Sequence, residues 1–431
     1  MATAMVYSGP MTKQTTPAAA PSSIAVIGAG IVGMCCARWL QRDGHRVTVF
    51  DPVAPGESCS FGNAGIISMT SVLPFALPGT LGKLPGWLAD PLGPLTIRWR
   101  HLPRLAPWFL RLAANTRRSR VEVIADALKA LNAPTLEAYR ELLGPVDFAD
   151  LVRQDGILYV YRDAAELADA DVAWAMRRAR GIRFEKLGAE QLRQMEPALS
   201  PEFTRGVFLE DSAHVVSSVR IVKTLAERFL ADGGEIVAQR IDDVEIGPDG
   251  PRAVRSAAGA QPIDGLVVAA GAWSHRLSKR LGSRVPLEAE RGYHVTIADP
   301  GAGPRRPVGL PGAGFIATPM EMGLRAAGTV EFASVDAPPD YRRAKVILGH
   351  VKKMFPGINA DAVTEWMGCR PSLPDSLPVI GRSPHFANLH YAFGHGHLGL
   401  TEGSISGKLI AEMIAGRPTS IDTAPYRIDR F

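Results

Sequence analysis

Between residues 23 and 51 the chain passes from an apolar run to a glycine turn, then to a helical period, then to a second apolar run. Ile24-Ala25-Val26-Ile27 reads as a strand buried on both faces. The helical period runs to about Asp43, where Gly44 ends it, and Arg46–Phe50 is a second strand closing on Asp51. Further along, the spacing of apolar positions predicts helices over 121–143, 163–180, 219–232, 341–354 and 403–415. Ser217 or Ser218 is the expected N-cap of the third of these. Strands are predicted at 156–161, 235–238, 243–246 and 389–393. The run 265–270, Gly-Leu-Val-Val-Ala-Ala, fits another parallel strand covered on both faces, whereas 293–298 and 314–330 alternate as a half-buried sheet does. No internal repeat is present.

The glycine turn carries the first chemistry. Gly28-Ala29-Gly30-Ile31-Val32-Gly33 follows the first strand directly and opens the helix. Gly28 permits the tight turn, Gly30 lets a pyrophosphate approach the backbone, and Gly33 allows the helix to pack close to the strand. Unpaired N–H groups and the helix dipole favour an anion at that end. Asp51, 18 residues beyond Gly33, stands where an acid accepts hydrogen bonds from an adenosine ribose. The unit therefore binds a dinucleotide; NAD and FAD both use it.

Composition narrows the class. The 431 residues suggest two domains, and 46% apolar with 21% charged residues is ordinary for a water-soluble globular protein. The net charge of +5 is spread along the chain, which argues against nucleic acid as a partner and suits small anions or an anionic surface. Four cysteines without a CxxC pair argue against a disulfide framework or a zinc site and fit a reducing, cytoplasmic setting. No stretch of 18 apolar residues occurs, and residues 1–22 read as a disordered tail. Residues 72–112 hold seven prolines and three tryptophans beside several arginines. They read as short helices packed on a second domain. The sharper reading is a peripheral contact with the inner face of a membrane.

Several separated segments resemble the D-amino-acid oxidase superfamily, and more closely its bacterial D-amino-acid dehydrogenase branch. They are the unit at 24–51, Asn63-Ala64-Gly65-Ile66-Ile67-Ser68, Val267-Val268-Ala269-Ala270-Gly271-Ala272-Trp273-Ser274, Gly368-Cys369-Arg370-Pro371 with Asp375 to Gly381, and Gly394-His395-Gly396-His397-Leu398-Gly399-Leu400-Thr401. The resemblance implies an α/β fold with a Rossmann-like FAD-binding domain drawn from 23–75, 200–283 and 355–431. A mostly antiparallel substrate-binding domain would come from 76–199 and 284–354. It implies non-covalent FAD, no metal, and oxidative deamination of a D-amino acid by hydride transfer from Cα to flavin N5. The imino acid formed then hydrolyses to a keto acid, and a quinone or another acceptor takes the electrons. D-Proline or D-hydroxyproline is allowed equally. The alternatives are a glycine, sarcosine or N-alkyl amine oxidase and a flavin-bearing subunit of an electron-transfer complex.

The same resemblance assigns residues. Arg370 would grip the substrate carboxylate, since a guanidinium fork matches it bidentately; the structural alternative is an ion pair. Tyr293, His294 and His397 would line the pocket, with Arg291 a second anion contact. Ser58, Ser60, Asn63, Ala64, Gly65 and Ile67 would bring donors toward the cofactor. Val244, Ala270, Gly271 and Trp273 would lie by its adenosine half. Gly396, His397, Leu398, Gly399, Leu400 and Thr401 would run beneath the flavin, with the hydroxyl and N–H of Thr401 as donors.

Overall fold

The computed structural model describes residues 22–79, 82, 86, 90, 92, 93 and 95–431. Two sheets organise them. In the smaller, five parallel strands run in the order Glu235–Val237, Arg46–Phe50, Ser23–Ile27, Gly265–Val268 and Leu389–Phe393, and Val379–Arg382 adds an antiparallel edge. Leu266, Val267 and Val268 are fully buried, as their unbroken apolar run predicts. Helices Ile31–Arg42, Arg220–Ala231 and Gly399–Ile414 share one core with the sheet. The first and last of these touch at Gly407, where a Cβ would lie 2.6 Å from the Cys35 carbonyl carbon.

The larger sheet is mostly antiparallel and has nine strands. Its order is Val363–Ser372, Glu288–Ile297, Gly323–Phe332, Phe315–Met320, Val308–Leu310, Ile157–Tyr161, Arg205–Leu209 and Glu185–Gly188, with Leu95–Ile97 added beside Gly323–Phe332. Helix Arg342–Met354 packs Ile347, Val351 and Met354 against Val295, Ile297 and Ala326. Strands Arg205–Leu209 and Val363–Ser372 fall in stretches expected in the dinucleotide domain, yet they pair within this sheet.

Several boundaries differ from the sequence reading. The 121–143 helix is two, Arg118–Asn132 and Thr135–Leu151, and the second kinks at Gly144 before Pro145, as proline dictates. The 163–180 helix is likewise broken into Ala164–Ala168 and Asp171–Ala179. The last helix begins at Gly399, four residues early, because glycines do not stop a helix whose apolar face is buried. Val219 is the geometric N-cap of Arg220–Ala231; Ser217 Oγ accepts from the Arg220 N–H, while Ser218 Oγ donates to the Phe61 carbonyl. The expected tail lies outside the described residues except for Ser22, as does Trp87 in the 72–112 segment. No helix among the described residues is long and apolar enough to cross a membrane.

Burial leaves four histidines uncharged. His214 and His390 are pushed down to about 4, and His294 and His395 to about 3, in each case chiefly by burial. Arg153, Arg325 and Arg382 add repulsion at His214, His294 and His390 respectively. In the unfolded chain these rings titrate near 6.5. Between about 6.5 and those lowered values the unfolded chain takes up protons that the folded one refuses, so stability is complete above that window and falls with pH inside it. The thermal midpoint is expected to decline steadily below pH 6.5, each ring contributing at most about 1.4 kcal/mol per unit. A midpoint level down to pH 4.5 would show that the rings accept protons within the fold.

Candidate active site

A cavity of about 1330 Å³ lies between the two sheets. That exceeds the ~300–1,000 Å³ of an ordinary small-molecule pocket and leaves room for a dinucleotide and a small substrate together. One end is built by the glycine turn. Gly28 has φ +116°, and a Cβ there would sit 2.4 Å from the Ala269 carbonyl oxygen. At Gly33 a Cβ would sit 1.9 Å from the Gly28 carbonyl oxygen. These two glycines serve packing, and only Gly28 also touches the cavity. Gly30, the N-cap of Ile31–Arg42, opens onto it together with Ile31 and Val32, so the positive end of that helix meets the space. Asp51 also lines it, its carboxylate fixed by the N–H groups of Ala29 (2.8 Å) and Val53 (2.9 Å).

The same cavity receives a second helix end. The turn after Leu389–Phe393 contributes His395, Gly396, His397, Leu398, Gly399, Leu400 and Thr401 to the wall. Gly271 and Gly396 have φ of +52° and +54°, and a Cβ on either would meet no atom within 4 Å. They form a cradle that only side-chain-free backbone leaves open. Glu402, in the first turn of Gly399–Ile414, is fully buried with neither oxygen partnered; burial pushes its carboxyl well up. Burial favours its neutral form, which compensates the positive end of that helix less than a carboxylate would. Two anion-favouring helix ends, a ribose-type carboxylate and a glycine cradle together fit FAD.

The Thr401 hydroxyl does not serve as the free donor that the sequence suggested. It accepts from the Ser68 N–H (3.1 Å) and donates to the Ile66 carbonyl (3.2 Å), pinning strand Ile66–Ser68 against the helix. Ser58, Ser60, Asn63, Ala64, Ile31, Val32, Ala270 and Trp273 line the cavity as expected, with Ser60 Oγ also accepting from the Ile31 N–H at 3.0 Å. Ala29, Gly65, Ile67 and Val244 do not line it. Ile67 is buried in the core, and Val244 faces a separate small hollow with Arg280.

Opposite the glycine cradle stands the ladder of Glu288–Ile297 with Val363–Ser372. Three cross-strand pairs share the cavity face: Glu290 with Arg370, Gly292 with Gly368, and His294 with Trp366. The guanidinium lies flat over Gly292, where a Cβ would fall 2.2 Å from Arg370 Nη2, and the indole lies over Gly368, at 2.0 Å from its nearest carbon. Both hydrogens of Arg370 Nη1 are taken, by Glu290 Oε1 (2.8 Å) and the Thr329 carbonyl (3.1 Å), and Nη2 reaches the Gly328 carbonyl at 3.5 Å. Nε and the outer hydrogen of Nη2 keep one edge of the fork for a ligand. Arg370 is thus an ion-pair partner whose fork keeps one edge unbonded. His397 lines this space and is exposed to it; desolvation by the cavity walls lowers its pKa, Glu290 opposing and Arg370 assisting.

Two expected pocket residues are corrected. Arg291 alternates onto the far face, fully buried, with Nε 3.4 Å from a Glu331 oxygen. His294 stacks on Trp366 (centroids 5.0 Å apart), its Nδ1 3.2 Å from the Gly62 carbonyl, and the indole lines the cavity in its place. Tyr293 reaches the wall, but its hydroxyl donates to Glu331 Oε2 at 2.6 Å.

Sequence reasoning missed Glu290, Trp366, Thr329 and Arg325. Arg325, whose pKa burial lowers to about 10, donates from Nη1 to the Phe61 and Asn63 carbonyls and to Ser218 Oγ, and so holds the 61–63 loop. Glu290 and Trp366 follow from period-2 alternation once both strands are read from their true starts. The cavity wall also holds apolar Phe75, Leu95, Phe315, Ile316 and Val330, with Tyr159 and Ser71 among its polar members.

Comparison with known proteins agrees with this geometry. The family model described as FAD dependent oxidoreductase (DAO) matches residues 23–413. A protein of Bradyrhizobium diazoefficiens named D-amino-acid oxidase is 39% identical, over 95% of this chain and 98% of its own. One of Paramagnetospirillum magneticum named D-amino acid dehydrogenase is 34% identical, with the same coverages. Among solved structures, glycine oxidase from Geobacillus kaustophilus superposes with a TM-score of 0.73 at 21% identity, covering 95% of this chain and 99% of that one.

Proposed function

The chain belongs to the DAO family of FAD-dependent oxidoreductases, and from that premise we propose that it oxidises free D-amino acids to imino acids, which water converts to keto acids and ammonia. The observation that carries the substrate reading is the open edge of Arg370, in a cavity that also holds apolar side chains and the flavin cradle. FAD supplies the two-electron acceptor when it is bound. Gly30 and the first turn of Ile31–Arg42, which line the cavity, would hold its pyrophosphate, Asp51 its ribose, and the start of Gly399–Ile414 its ring. Arg370 fixes the amino acid by its carboxylate, and Glu290 keeps the guanidinium from swinging away. Trp366 and His294 make that wall rigid. In this reading the six-stranded half holds FAD and the nine-stranded half holds the substrate.

Holoenzyme mixed anaerobically with D-amino acids, L-amino acids, glycine, sarcosine and D-proline tests this directly. Bleaching of the flavin band by D-amino acids is expected. No bleaching by any D-amino acid sinks the reading, and stronger bleaching by sarcosine or glycine replaces it. Reoxidation by oxygen against a quinone then identifies the acceptor.

A second part of the reading concerns residues 99–111. Trp99 and Leu110 are 76% and 73% exposed, and Leu102, Arg100, Arg104 and Arg111 are exposed beside them, while Leu105, Trp108 and Leu112 face the core. This face suits the headgroup layer of an anionic membrane that carries the quinone. Replacing Trp99 and Leu110 by serine should weaken binding to anionic vesicles, and unchanged binding refutes the contact.

A further inference from the structure

Two histidines flank Gly396 in the turn after Leu389–Phe393, and their surroundings differ. His395 is buried, with Nε2 2.9 Å from Ser406 Oγ. His397 is exposed, and it is exposed to the cavity. Among the described residues no hydrogen bond reaches either nitrogen of its ring. The turn is tied to the wall that carries Arg370. The Gly396 N–H donates to the carbonyl of Pro371 at 2.9 Å, and the Leu398 N–H donates to the His395 carbonyl at 2.8 Å. His397 thus sits between two anchored residues. Glu290 and Arg370, from the paired strands opposite, are the charged groups that act on its ring. Arg370 is itself held: Glu290 and the carbonyl of Thr329, which a bulge turns to φ +56°, occupy Nη1. Other titratable groups at this end are committed. The Tyr293 hydroxyl donates to Glu331, and the Cys59 thiol donates to the Cys369 carbonyl at 2.9 Å. Desolvation lowers the His397 pKa from 6.5, so at pH 7 the ring is neutral and one nitrogen has a lone pair to offer.

We propose that His397 is the base that takes a proton from the ammonium group of the amino acid held by Arg370. The inference rests on the reading of the substrate as an amino acid gripped through its carboxylate. Carboxylate and ammonium share one carbon, so a group close to the guanidinium meets the ammonium. A free amino acid carries that ammonium at pH 7, and its nitrogen then has no lone pair. The Cα–H bond can break only when a lone pair is ready to form the C=N bond. One proton passes from nitrogen to the imidazole. The hydrogen on Cα then leaves with its electron pair to FAD, and the nitrogen lone pair completes the protonated imine. The imidazolium afterwards gives its proton to water. Seating a carboxylate on Arg370 also offsets the repulsion that this guanidinium exerts on the ring, so the base strengthens when substrate arrives.

Holoenzyme and its His397→Gln variant test this through the pH dependence of two quantities. The first is the second-order rate constant for anaerobic reduction by the best D-amino acid. In the parent it should be level from roughly pH 6.5 to 8.5 and fall at lower pH as the ring takes up a proton. In His397→Gln it should drop about a hundredfold or more at pH 7 and rise about tenfold per pH unit, because only amine already deprotonated in solution reacts. The second is the affinity for the matching carboxylate that lacks the amine, read from the flavin band. If a bound carboxylate strengthens the base, a protonated ring strengthens carboxylate binding in return. Affinity should therefore increase as pH falls below about 6.5 in the parent and show no such trend in the variant. A parent whose rate already climbs tenfold per unit across the level stretch, or a variant that keeps that stretch, overturns the proposal. Should the glutamine variant lose FAD, His397→Asn is read on the same terms, and loss of FAD from both overturns the base in favour of a cofactor contact. A parent reduced by no amino acid at any pH overturns the functional reading and this role with it; the other failures overturn the role alone.

Discussion

Replacing Arg370 by methionine is expected to lower kcat/KM by about a thousandfold while the protein remains yellow. The open edge of the guanidinium offers two charge-assisted bonds to a carboxylate, each worth about 1.5–3 kcal/mol. Their loss removes some 3–6 kcal/mol, or roughly 10² to 10⁴ in rate. Arg370→Lys should lie in between, because an ammonium keeps the charge and loses the fork. A second consequence separates substrate binding from structure. Glu290 is 2% exposed and pairs with Arg370 at 2.8 Å. Methionine at 370 leaves that carboxylate buried alone, a cost of about 3 kcal/mol, at the low end for a broken buried pair because the Arg370 side chain is 24% exposed. Glu290→Gln in the methionine background should restore the thermal midpoint and leave activity low. If the double variant regains activity, Arg370 is an ion-pair partner only. If the single variant loses its FAD, the cavity is divided differently from the reading above.

How far the sequence revealed this site depends on whether the information is local. The dinucleotide end was legible because one unit holds everything: an apolar strand, Gly28 to Gly33, a helix and Asp51, each position set by its neighbours. The packing shows the close backbone contacts at Gly28 and Gly33, and Gly30 stands at the cavity. Family likeness supplied Arg370, but not its partner. Glu290 is 80 residues away in sequence and directly opposite in register, and nothing local announces a cross-strand pair. Family likeness also placed Arg291 and His294 in the pocket, but likeness of a segment does not say which side chains face inward: in the strand that begins at Glu288, Arg291 alternates onto the far face, and Trp366 of the neighbouring strand covers His294. Thr329 was invisible for a related reason. A positive φ at threonine comes from tertiary pairing, and propensity argues against it. Thr401 shows the limit of likeness from the other side: the residue is where it was expected, but its hydroxyl is spent on strand Ile66–Ser68.

Two glycine-to-alanine changes should separate folding from cofactor binding in opposite directions. In Gly33→Ala the new methyl would lie 1.9 Å from the Gly28 carbonyl oxygen and 2.9 Å from its carbon. Neither is a side chain that can turn aside: both belong to the turn joining the first strand to its helix. Relief requires the helix to move off the sheet, at a cost of about 4 kcal/mol or more and a midpoint lower by on the order of 10 °C. FAD should be lost as a consequence, because the helix end proposed to meet the pyrophosphate has shifted. Gly396→Ala differs in kind. Its φ of +54° adds about 1 kcal/mol of backbone strain, yet no protein atom lies within 4 Å of the methyl, which enters the cavity itself. The FAD-free protein should therefore melt only a few degrees lower, while the dissociation constant for FAD rises at least tenfold. Measuring midpoints without FAD, and FAD affinity by fluorescence titration, distinguishes the two. An alanine at 396 that binds FAD as tightly as the parent would mean that the space above the turn is not where the flavin lies. The start of Gly399–Ile414 would then face substrate or water, and the role given to that helix end would pass to the first helix alone.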